Sequence, residues 1–205
     1  MVRAALTGGI GSGKTAVSRL LAAHGAEIID ADLLAREVVQ PGTDGLAQVV
    51  SRFGRQILSA DQSLDRPALG AVVFADPAAR ADLEAIIHPL VRRRALELTR
   101  AAEAESDPAT TVVIQVIPLL VETGQVADFD CCIVVDADPE VQRSRLMART
   151  GLSAGEAQAR IASQASRAGR LAAATWVVEN DGALSALGPQ VVLLWDHLVH
   201  HQPHL

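Results

Sequence analysis

The residues best suited to chemistry lie near the N-terminus, where Gly8-Gly9-Ile10-Gly11-Ser12-Gly13-Lys14-Thr15 satisfies the P-loop pattern. Glycines there permit positive backbone dihedrals and let amide N–H groups converge on phosphate oxygens at a helix N-terminus, whose dipole adds to the attraction. Lys14 suits the terminal phosphates and the Thr15 hydroxyl suits Mg²⁺. Two acids follow in Ile28-Ile29-Asp30-Ala31-Asp32. One carboxylate can take the proton of an attacking hydroxyl or help hold Mg²⁺, and the other can orient substrate. Taken singly, either acid also suits the plain task of capping a helix that begins near Leu33.

Positive charge is unevenly placed. Seventeen of the 18 basic residues are arginine, and Lys14 is the one lysine. Between Arg143 and Arg170 stand six arginines (143, 145, 149, 160, 167 and 170) and one acid, Glu156, so this segment carries +5 and the rest of the chain −11. Arg145 and Arg149 are one helical turn apart, and the spacing of Arg160, Arg167 and Arg170 predicts one common helical face. Beside a P-loop, such a segment reads as a lid that closes on nucleotide phosphates. A merely solvated basic face is the plainer alternative for any one arginine. With Lys14 committed to phosphate, no lysine remains for a guanine-reading Asn/Thr-Lys-x-Asp element, which argues against a signalling GTPase. Transporter-ATPase signatures are absent and the chain is short for a ring ATPase, which leaves a small-molecule kinase.

These residues need a scaffold, and the hydrophobic pattern supplies one. Val2 to Leu6, Glu27 to Ile29, Thr111 to Ile117, Cys132 to Val135 and Trp176 to Val178 read as strands apolar on both faces, separated by helical stretches. The expected fold is α/β: a P-loop NTPase-type parallel sheet flanked by helices, with a helical insertion and a small helical lid. The core is expected from residues 1–32, 109–137 and 174–205, the insertion from 33–108 and the lid from 138–173. Asp65-Arg66-Pro67, Asp76-Pro77 and Asp138-Pro139 mark helix starts, and Ser153 with Glu156 forms a capping box. The tail carries four of the six histidines, on an expected terminal helix anchored by Leu193, Leu194 and Trp195.

Composition removes other classes. The net charge of −6, the 2% aromatic content and the lack of tyrosine argue against a nucleic-acid partner. No apolar run approaches a membrane span, and the N-terminus shows no charged region followed by an apolar stretch and a small-residue cleavage site, so no membrane partner is expected. Adjacent Cys131 and Cys132 suit neither a disulfide framework nor a zinc site, which favours a reducing, cytoplasmic setting.

The ordered set Leu6 to Thr15, Ile29-Asp30-Ala31-Asp32 with Arg36, His88-Pro89, Pro118-Leu119-Leu120-Val121-Glu122, Gln164-Ala165 with Arg170-Leu171, and Asn180-Asp181-Gly182 closely resembles bacterial dephospho-CoA kinases. The resemblance covers about residues 2 to 182. It implies transfer of the ATP γ-phosphoryl group to the ribose 3′-hydroxyl of dephospho-CoA; a monomer or small homo-oligomer is expected. It implies ATP phosphates on Gly11, Ser12, Gly13, Lys14, Thr15 and Ala16, and Asp32 as general base. It implies Asp30, Arg36 and His88 on the acceptor side, with Leu119 and Leu120 lining the acceptor pocket and residues 33–108 forming the acceptor lobe. Arg145, Arg149 and Arg170 become lid arginines, Asn180 lies near adenine, and Mg²⁺ rests on Thr15 with Asp32 as a further ligand. Two positions depart from the pattern: Gln115-Val116 lacks an acid ahead of Pro-Leu-Leu, and Ala174-Thr175 stands where members carry Ala-Asp. Another P-loop small-molecule kinase, or a non-catalytic nucleotide-binding regulator, are the alternatives.

Overall fold

The computed structural model describes residues 1–105 and 111–200. In chain order they form β1 (Val2–Gly8), α1 (Lys14–Ala23), β2 (Glu27–Asp30), α2 (Ala31–Glu37), α3 (Asp44–Phe53), α4 (Arg66–Ala75) and α5 (Pro77–Glu105). Then come β3 (Val112–Val116), β4 (Cys131–Asp136), α6 (Pro139–Thr150), α7 (Ala154–Ala162), α8 (Arg167–Ala173), β5 (Trp176–Glu179) and α9 (Leu187–His200).

The five strands form one sheet in the order β2-β3-β1-β4-β5. β1 lies parallel to β3 from Val2↔Val112 to Leu6↔Val116, and parallel to β4 from Ala4↔Cys131 to Gly8↔Val135. Helices cover both faces, so the central strands are apolar on both sides: β4 is buried throughout, whereas edge strands β2 and β5 are partly exposed. The expectation of two apolar faces therefore fails at the edges. On one face Leu6, Ile114 and Ile133 pack with Val17 and Leu21 of α1 and with Leu187, Val191, Leu194 and Leu198 of α9. Those α9 residues recur at helical spacing, and Leu193, expected to anchor the helix, instead lies on its outer side, 63% exposed. The opposite face holds Ala5, Cys132, Val134 and Leu120. With β1 between β3 and β4, the chain switches direction above the carboxyl end of β1, where open α/β sheets bind ligands.

Packing divides the chain into two units, Met1–Ile29 with Ala101–Leu205, and Asp30–Arg100. The second unit starts three residues earlier than the expected insertion and ends within α5, because that helix runs unbroken through Pro89 to Glu105; position 108 lies outside the described residues. This unit has its own core of Val39, Val49, Phe53, Ile57, Leu69 and Ala79. Its helix starts follow the capping signals: Thr43 accepts from Leu46 N–H, Asp65 from Ala68 N–H and Asp76 from Ala78 N–H.

Residues 138–173 belong to the first unit. Asp138 caps α6 and Ser153 with Glu156 closes the capping box of α7. One expectation fails here. Arg160 belongs to α7 whereas Arg167 and Arg170 belong to α8, so the break at 163–166 prevents a single arginine face. Arg145 and Arg149 do share α6.

Candidate active site

The P-loop bridges β1 and α1. Gly11 has φ 77° and Gly13, the residue before α1, has φ 100°, conformations open to glycine. A Cβ on Gly13 would fall 2.1 Å from Asn180 Nδ2, and one on Gly11 would fall 2.7 Å from the Gln142 carbonyl oxygen. Lys14 Nζ donates to the carbonyls of Gly8 at 2.8 Å and Gly9 at 3.2 Å, which folds the ammonium back over the loop. A planar guanidinium does not fit that compact arrangement.

The loop amides divide into two groups. Ile10 N–H donates to Gln164 Oε1, Ser12 N–H to the Gly9 carbonyl and Ala16 N–H to the Gly13 carbonyl. The N–H groups of Gly11, Gly13 and Thr15 meet no protein acceptor among the described residues. The Ala16 amide closes the first turn of α1, and the Ser12 side chain is fully buried.

Asp30 ends β2 and caps α2, its Oδ1 accepting from Asp32 N–H at 2.8 Å and Leu33 N–H at 3.2 Å. The capping role belongs to Asp30, which places Asp32 in the first turn, exposed and one helical turn before the exposed Arg36. His88 is exposed on α5, one residue before Pro89. Leu119 is 42% exposed. Leu120 is fully buried in the core on the sheet's second face, so it lines no pocket; its neighbours are Ala5, Cys132 and Val134.

Among the arginines, Arg145 donates to the Asn180 carbonyl at 2.8 Å and the Gly182 carbonyl at 3.3 Å, fixing the loop after β5. Asn180, 3% exposed, sends Nδ2 to the Ser12 carbonyl. Arg149 is exposed on α6. Arg170 is 5% exposed; it donates to the Ala165 carbonyl and has no direct carboxylate partner among the described residues. Burial draws its guanidinium below the usual range, while Glu122 and Asp136 oppose that shift.

Sequence reasoning did not single out Asp136, Gln142 or the pairing of Arg167. Asp136, at the carboxyl end of β4, takes a bidentate contact from Arg167 at 2.6 to 3.0 Å, which raises the Arg167 pKa. Gln142 is buried, donates to the Ala137 carbonyl and leaves Oε1 without a partner among the described residues. No local signal marked the Asp136–Arg167 pair, whose members stand 31 residues apart. Thr175 fills its place with a hydroxyl that accepts from Cys132 N–H at 2.8 Å and contacts Cys131 Sγ at 3.0 Å, tying β4 to the approach to β5. β3 supplies Gln115 and no acid.

No group of three or more His, Cys, Asp or Glu side chains among the described residues forms a metal cluster. No helix among them is long and apolar enough to cross a membrane. The Thr15 hydroxyl, exposed at the first turn of α1, is an oxygen donor of the kind Mg²⁺ accepts, and leaves most of the ion's shell to water and phosphate.

Comparison with known proteins agrees with this geometry. The dephospho-CoA kinase family model matches residues 2–186. A dephospho-CoA kinase of Streptomyces avermitilis is 52% identical over 205 residues, covering 99% of this chain and 98% of its own length. A crystal structure from Thermus thermophilus is 34% identical with a TM-score of 0.81, covering 96% of this chain and 97% of that one. A dephospho-CoA kinase from Campylobacter jejuni is 25% identical with a TM-score of 0.73, covering 97% and 98% of the two chains. The fold, the P-loop and the match along nearly the whole sequence converge: the chain belongs to the dephospho-CoA kinase family.

Proposed function

We propose that the chain transfers the γ-phosphoryl group of ATP to the ribose 3′-hydroxyl of dephospho-CoA, giving coenzyme A and ADP. The observation that carries the reading is the P-loop itself, with Lys14 folded over it and the Gly11, Gly13 and Thr15 amides open, in a chain matched by this family from residue 2 to 186. Lys14 and the open amides bind the β- and γ-phosphates. Asp32 accepts the hydroxyl proton as the new P–O bond forms, and the bond to the ADP oxygen breaks. Asp30 holds the start of α2, so that Asp32 and Arg36 are presented from one helical face. Arg149 and Arg170 offer positive charge to the loose transition state, and closure of residues 138–173 excludes water that would hydrolyse ATP. Mg²⁺, held at Thr15, would supply charge neutralisation at the phosphates. In this reading residues 30–100 carry the acceptor lobe, with Arg36 and His88 among its acceptor-binding residues.

The buried, reduced Cys131 and Cys132 support a cytoplasmic setting. A coupled ADP-release assay across acceptors tests substrate class. Dephospho-CoA should give the highest kcat/KM, and faster turnover with a nucleoside monophosphate or a sugar would assign the chain to another kinase reaction. ATP binding without ADP release would favour a regulator, the reading that the acid-free β3 supports.

A further inference from the structure

Residues 163–166 join α7 to α8, and the middle of this turn is held unusually well for a surface connection. Ala165 N–H donates to Glu122 Oε1 at 2.7 Å, and its carbonyl accepts from the buried Arg170 guanidinium. With both backbone groups of Ala165 fixed, the neighbouring Gln164 side chain reaches back to the P-loop, and its Oε1 accepts from Ile10 N–H at 2.7 Å. On the other side of the loop, Asn180 Nδ2 donates to the Ser12 carbonyl at 2.7 Å, and a Cβ on Gly11 would fall 2.7 Å from the Gln142 carbonyl oxygen.

Two carboxamides, those of Gln164 and Asn180, therefore hydrogen-bond the P-loop, and neither position carries a carboxylate. A carboxylate at 164 would accept the Ile10 N–H at least as well, since charge-assisted hydrogen bonds are stronger. It would also set a negative charge beside a site that receives a polyphosphate, where Coulomb repulsion in a partly dry cleft is severe. We infer that Gln164 is a positioning residue: its neutral oxygen fixes the Ile10 peptide, keeps the adjacent Gly11 amide turned to phosphate, and ties the arginine-rich arm to the nucleotide loop. The inference rests on the reading of this loop as the ATP site. It assigns Gln164 an effect on nucleotide affinity and none on the acceptor.

The test uses Gln164→Met, which keeps length and loses the acceptor, and Gln164→Glu, which keeps the acceptor and adds charge. ATP affinity is measured by titration calorimetry, the KM for dephospho-CoA by turnover, and the thermal midpoint without ligand. Gln164→Met should weaken ATP binding about three- to tenfold, the worth of one net hydrogen bond. Its midpoint should stay within about 4 °C of the parent, and its KM for dephospho-CoA within about twofold. Gln164→Glu should also weaken ATP binding, with a deficit that shrinks as salt rises to about 0.5 M. An ATP affinity within about twofold of the parent in Gln164→Met, or parent-like binding by Gln164→Glu at low salt, would overturn the inference. A parent protein that binds ATP yet makes no coenzyme A defeats the proposed function while leaving this comparison intact.

Discussion

Asn180 Nδ2 donates to the Ser12 carbonyl across 2.7 Å although 168 residues separate the two in sequence. This contact closes the loop after β5 onto the P-loop, and Arg145 braces it by holding the carbonyls of Asn180 and Gly182. The fit leaves no room at Gly13, whose φ is 100° and whose Cβ would meet Asn180 Nδ2 at 2.1 Å. Gly13→Ala should cost about 1–3 kcal/mol of stability through backbone strain, and should weaken ATP binding as Asn180 is displaced. Urea denaturation and nucleotide titration of the same variant check both effects. Unchanged stability would show that the loop relaxes freely.

Lys14 is the one ammonium side chain in the sequence, and its contacts to the Gly8 and Gly9 carbonyls need a compact donor. Lys14→Ala should lower kcat/KM for ATP by at least about 10³-fold, a size typical of lost electrostatic stabilisation in a preorganised site. Lys14→Arg should fall nearly as far, because a forked planar group cannot fold into the same space. Steady-state turnover of the two variants decides this, and an active Lys14→Ala protein would defeat the phosphate-cradle reading.

The acid that ends β2 and the acid in the first turn of α2 should separate cleanly. Asp30→Ala removes the α2 cap and should cost about 1 kcal/mol of stability. Asp32→Asn should leave stability near the parent and lower kcat about 10²-fold or more, as expected for a lost general base. Parallel thermal melts and turnover assays make the comparison, and near-normal turnover in Asp32→Asn would reassign the base.

Cysteine ionisation sets a stability limit at high pH. Burial pushes the Cys132 thiol up to about 11 from its ordinary 9.0, and burial also raises Cys131. The neutral thiols are favoured in the folded protein, so their contribution is fully present below about pH 9 and is lost as pH rises toward 11. Urea midpoints at pH 8 and pH 10.5 should show the fall, and Cys132→Ala should show a shallower one. The same burial should make both thiols slow to react with disulfide reagents in the native state at pH 7.

The parts legible in the sequence were those whose signal is local. The P-loop places its glycines, lysine and threonine within eight residues, and its strand and helix flank it directly. Capping acids and serines announced α4, α6 and α7 because a cap acts within three residues of itself. The spacing of Arg160, Arg167 and Arg170 suggests one helical face because no glycine or proline marks the break between them; the signal present there is Ser166, which caps α8. Leu120 reads like Leu119 in sequence, and only packing against Ala5, Cys132 and Val134 separates a core leucine from an exposed one. Gln164 and the Asp136–Arg167 pair act on elements far along the chain, so no window of sequence could give their partners.

The central claim is the transfer of phosphate to one hydroxyl of one acceptor. Incubation of the protein with ATP, Mg²⁺ and dephospho-CoA, followed by mass spectrometry, should show coenzyme A and ADP appearing in equal amounts, with Asp32→Asn slower by about 10²-fold. ADP without coenzyme A, or a phosphorylated product distinct from coenzyme A, would contradict the account.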